Sequence, residues 1–210
     1  MDAKMEDLRK IWNELTSRYT HNTELVNDLW TQIEREYSTK KRHYHNLSHI
    51  KYMIDRAMQF KEKLIDFDTV LFSIFYHDIV YNIMRKDNEQ KSADIAHDRL
   101  TKLAVPLDKS EACQNQIIAT KDHKDNANND TNYLLDFDLA ILGDTAENYE
   151  VYRKNIRKEY SIYPDFLYKK GRKKVLQHFL DMDRIFKTNE FYESFESLAR
   201  KNLKIELQKL

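Results

Sequence analysis

Glycine and proline are nearly absent from this chain, with two of each among 210 residues. Sandwiches and barrels need turn residues at every strand connection, so this shortage disfavours them and favours helices. There is one cysteine, Cys113, which excludes an intrachain disulfide framework and fits a reducing compartment. Charge of one sign is not in excess either. Lys+Arg and Asp+Glu number 35 each, so no global field draws the chain to nucleic acid or to an anionic membrane. Long apolar runs are missing too. The stretch Val70–Tyr76 is broken by Ser73 and ends at His77, too short to cross a bilayer. The opening residues Met1–Asp7 contain no apolar signal region, so the expected location is the cytoplasm, with no membrane partner.

What the chain does have is apolar residues at helical spacing. Leu8, Ile11, Trp12 and Leu15 mark a first helix, and Leu25, Leu29, Trp30 and Ile33 a second. Ile50, Met53, Ile54 and Ala57 mark a third. Asp66 or Asp68 can cap a fourth, apolar on most sides through Val70, Leu71, Ile74 and Phe75 and therefore buried. Further helices are expected through Ala93–Leu103, to Ile117–Ile118 behind an Asp108/Glu111 capping box, and over Tyr133–Leu142. Three more are expected around Tyr149–Tyr160, Val175–Leu180 and Phe191–Leu207, and Asp122–Thr131 reads as a polar loop. With no repeat or linker, residues 1–210 are expected to form one all-α domain.

Four of the eight histidines fall in two short segments, Arg42-His43-Tyr44-His45-Asn46-Leu47-Ser48-His49 and Tyr76-His77-Asp78. His45 and His49 would share a helical face if the third helix began by His45. A His-Asp pair at the end of a buried helix is costly without a partner, and a metal ion supplies one. The apolar segment Tyr133–Leu139 carries Asp136 and Asp138 and raises the same burial question. Two imidazoles and two carboxylates suit a divalent first-row metal such as Mn, Fe, Co, Ni or Zn, or Mg. With open positions, such a site can activate water against phosphorus.

The ordered set His49, His77-Asp78 and Asp138 resembles the H…HD…D signature of the HD (His-Asp) superfamily of metal-dependent phosphohydrolases. The segment Tyr44-His45-Asn46-Leu47-Ser48-His49 is similar to the Tyr-His-Asn-x-x-His of cyclic-nucleotide phosphodiesterases. The run from Arg42 to about Arg200 looks like a bacterial-type group of HD phosphohydrolases, with landmarks including Asn88-Glu89, Thr120-x-x-His123, Arg157-x-Glu159-Tyr160 and Glu196-x-x-Ala199-Arg200. The resemblance implies an HD-like helical bundle with additional N- and C-terminal helices. It implies a metal held by His49, His77, Asp78 and Asp138, with His45 as proton donor and His123 or Arg42 on the phosphate. The implied reaction is cleavage of a phosphoester or phosphoanhydride in a nucleotide-like small molecule.

The alternatives are a metal- and nucleotide-binding regulatory module that turns nothing over, and a di-iron oxygenase on the same scaffold. Asn88 and Glu89 could bond metal-bound water or serve as a helix start, and Asp136 could orient a ligand. The basic run Lys169–Lys174 reads as a solvated face broken by Gly171 rather than a nucleic-acid site.

Overall fold

The computed structural model of the chain describes residues 3–210, with side chains from residue 5 onward. Among the described residues there are ten α-helices, two short 3-10 turns and no strand, as the scarcity of turn residues demands. The chain packs as two compact units, Met1–Lys124 and Asp125–Leu210.

The first unit holds α1 (Ala3–Thr16), α2 (Thr23–Tyr37), α3 (Leu47–Gln59), α4 (Phe67–Tyr76), α5 (Asn88–Lys102) and α6 (Leu107–Ala119). At its centre is α4, buried from Thr69 to Tyr76. Trp12 of α1 meets Phe72, Phe75 and Tyr76 edge-on, at ring separations of 6.1, 5.3 and 6.0 Å. Each such buried aromatic or aliphatic side chain contributes about 1.5–3 kcal/mol relative to exposure. The helix starts where the Asp66 carboxylate accepts from Thr69 N–H (3.2 Å) and Thr69 Oγ1 (2.7 Å). The one polar group in its middle, Ser73, donates to Gln116 Oε1 of α6 at 2.7 Å.

The second unit holds α7 (Asn129–Leu139), a 3-10 turn (Ala140–Gly143), α8 (Ala146–Glu159), α9 (Asp165–Asp181) and α10 (Asn189–Lys209). Its spine is α10. Glu196 accepts from the backbone N–H groups of Ile185 and Phe186, and Asn202 donates to the carbonyls of Leu142 and Asp144. The 3-10 turn lies so close to α10 that a Cβ on Gly143 would sit 2.6 Å from the Phe195 carbonyl oxygen, so only glycine fits.

Four local expectations change. First, α3 begins at Leu47 with Asn46 as its cap, so His45 precedes the helix and shares no helical face with His49. Second, α6 begins at Leu107 behind Pro106, which puts Asp108 inside the first turn and removes the capping box. Third, α7 begins at Asn129, because the Asn128 side chain accepts from Thr131 N–H at 3.1 Å, and Asp130 and Thr131 are buried rather than looped. Fourth, α9 runs unbroken through Gly171. Within the basic run, Arg172 turns inward and forks onto Glu206 of α10 at 2.8 and 3.0 Å, leaving the lysines outside.

Candidate metal centre

His77 caps the C-terminus of α4. Its N–H donates to the Ser73 carbonyl at 2.8 Å, and its Nδ1 lies 2.9 Å from the Ile74 carbonyl. A carbonyl only accepts, so Nδ1 carries a proton, and in the neutral ring this leaves the lone pair on Nε2. That is the tautomer a ligating histidine needs, fixed by a backbone group. His49 sits in the first turn of α3, which is started by the Asn46 side chain accepting from Ser48 N–H at 2.8 Å. Both rings are almost fully buried, at 3% and 1% exposure, and their Nε2 atoms are 3.3 Å apart. Two nitrogens each about 2.0–2.1 Å from one tetrahedral ion would be separated by about 3.3 Å, so the pair fits a shared metal.

The next residue, Asp78, places Oδ2 3.3 Å from His77 Nε2. Its backbone is clamped on both sides. Its N–H donates to Tyr37 Oη at 3.1 Å, and its carbonyl accepts from Arg42 Nη1 at 2.6 Å. Arg42 also donates to the carbonyls of His45 (3.3 Å) and Ile79 (3.1 Å), and its guanidinium lies over the Tyr37 ring at 4.7 Å. The residue expected at the phosphate therefore holds together the two segments that carry the histidines. The two buried histidines of this unit stand close enough to hold one metal ion between them.

His45 stands at the edge of this group. Its Nε2 is 4.0 Å from Asp78 Oδ2, and its ring stacks on Tyr81 with centroids 4.3 Å apart. His123 follows α6 in a left-handed conformation (φ 49°), its N–H donating to the Ala119 carbonyl at 3.2 Å. Asn88 bonds the backbone of Asn82 at 3.2 and 3.0 Å and so closes the loop before α5; Glu89 is in that helix's acidic first turn.

In the second unit, Asp138 is half-buried on α7. Its neighbour in the motif, Asp136, is fully buried and accepts from Lys187 N–H (2.7 Å), Thr188 N–H (2.8 Å) and Thr188 Oγ1 (2.7 Å). Burial outweighs these donors and pushes its carboxyl up to about 6. Asp136 thus anchors the segment before α10. Residues two apart on a helix point in different directions, so Asp138 does not share that task.

Sequence reasoning missed Tyr37 and Tyr81. Tyr37 extends the buried Leu29–Ile33 row by one more step of four, which signals burial but not its hydroxyl's bond to Asp78. No sequence signal marks Tyr81. Comparison with protein-family models, with curated proteins and with solved structures finds no match to this chain.

Proposed function

We propose that the chain is a metal-dependent phosphohydrolase that cleaves a phosphoester or phosphoanhydride of a nucleotide-like small molecule. One observation carries the reading: the 3.3 Å approach of two buried histidine Nε2 atoms, one of them with its tautomer set by a backbone carbonyl. Asp78 and, by the sequence motif, Asp138 would complete a donor set of two nitrogens and two carboxylates suited to a divalent ion. Such an ion would supply Lewis acidity toward a phosphoryl oxygen and a nucleophile at neutral pH.

The chain's own groups take the remaining work. His45 lies outside the ligand pair, on the Tyr81 ring and within 4.0 Å of the Asp78 carboxylate. That placement lets it hold a proton and deliver it to the leaving oxygen. Arg42 keeps the His45 and Asp78 backbones in register, and His123 or a free N–H of Arg42 would meet the phosphate.

The test is elemental analysis of protein purified without chelator, followed by phosphate-release screening of mono-, di- and cyclic nucleotides under Mn, Fe, Co, Ni, Mg and Zn. The expected result is about one ion per chain and release from at least one substrate, with His77→Ala and Asp138→Ala losing both. Full metal occupancy in the variants would overturn the ligand assignment. Bound metal with no release from any substrate would leave a binding module and overturn the hydrolase.

A further inference from the structure

On the α2–α5 side of the first unit lies a cavity of about 390 Å³, lined by Arg35, Glu36, Arg42, Tyr81, Ile95 and Arg99 among others. None of the histidines or aspartates of the candidate metal centre lines it. Its charge is unbalanced. The one lining carboxylate, Glu36, is taken by Arg35 in a fork of 3.0 and 2.7 Å.

Arg42 is 8% exposed and pairs with no carboxylate among the described residues. Its bonds go to three carbonyls, which leaves Nε and one Nη2 hydrogen uncommitted. Arg99 lies beside the Tyr76 ring at 5.5 Å, with Nη1 shielded from solvent and lacking a hydrogen-bond acceptor. Neither acid near it on α5 bonds Arg99: Asp98 pairs with Lys102 at 2.6 Å, and Asp94 accepts from Gln90 at 2.9 Å. Two guanidinium groups without counter-ions on one cavity are costly unless an anion joins them. Their planar forks match the oxygens of a phosphate.

We propose that this cavity binds a phosphate-bearing small molecule, held by Arg42 and Arg99 with Arg35 beside them, at a site separate from the metal centre. It does not depend on the hydrolase reading. Through Arg42 its occupant would touch the same clamp that holds the Asp78 and His45 carbonyls.

The probe is inorganic pyrophosphate, titrated calorimetrically into the full chain. At least one pyrophosphate per chain is expected in the wild type and one in His77→Ala, so that loss of the metal centre leaves this site intact. Arg99→Gln should weaken binding about ten-fold or more, the size of one charge-assisted bond. Ile95→Glu places a carboxylate in the cavity from a half-buried helix position and should abolish binding while circular dichroism stays helical. That variant decides the matter if Arg99→Gln fails to fold. No binding in the wild type, loss of binding in His77→Ala, or unchanged binding in Ile95→Glu would overturn the proposal.

Discussion

At the scale of single residues, His45 and His49 differ in what holds them. His49 is 3% exposed inside α3, with Nε2 against His77. His45 lies ahead of the helix cap, in a bend between Arg42 and Asn46, with its ring on Tyr81. A ligand and a general acid fail in different ways when truncated. His49→Ala should lose the metal and all activity. His45→Ala should keep the metal and slow phosphate release by about 10²–10⁴-fold. A nitrophenyl phosphoester has a leaving group that needs little protonation and should partly restore His45→Ala but not His49→Ala. Equal metal loss in the two variants, read by elemental analysis, would make His45 a ligand.

The His-Asp pair and the Tyr-His-Asn run were legible as sequence because their chemistry is dense and local. The roles of Arg42 and Asp136 were not, because each is set by backbone groups far along the chain: Asp78 for one, Lys187 and Thr188 for the other.

At the scale of elements, periodicity located every helix, and its errors fell at the ends. Helix starts depend on which side chain wins the first N–H groups. Pro106 left Asp108 no capping task, and Asn128 took the one expected beyond Thr131. Gly171 marks no junction, because a lone glycine costs a helix only about 1 kcal/mol and open space surrounds it.

The start of α4 matters most to the site, since that helix ends at His77. Burial alone would raise the Asp66 carboxyl. Its bonds to Lys109 Nζ (2.6 Å) and to Thr69 prevail and lower it below the ordinary aspartate range. A carboxylate lowered in the folded state adds stability above its unfolded value and loses it as pH falls through the folded one. Asp66→Ala should therefore cost about 1 kcal/mol at pH 7, the worth of a helix cap. The gap from wild type should close as the pH falls below about 4. Urea denaturation at pH 7 and pH 3 measures both, and a gap that persists at low pH would show that packing, not the ionised cap, sets the effect.

At the scale of the whole molecule, the chain packs as two compact units. The proposed ligands divide between them, with His49, His77 and Asp78 in the first and Asp138 in the second. An ion that binds only the folded chain stabilises it by about 2.7 kcal/mol at a hundred times its dissociation constant. Where that stabilisation appears depends on who ligates. If Asp138 is a ligand, adding Mn or Zn to chelator-treated protein should slow amide hydrogen exchange in α7 as well as in α3 and α4. Asp138→Asn should remove the effect from α7 and weaken it in the other two. If only the first unit holds the ion, protection should rise around His49 and His77 alone and Asp138→Asn should change nothing. Exchange measured helix by helix therefore tests the one ligand that the sequence motif assigns to the second unit.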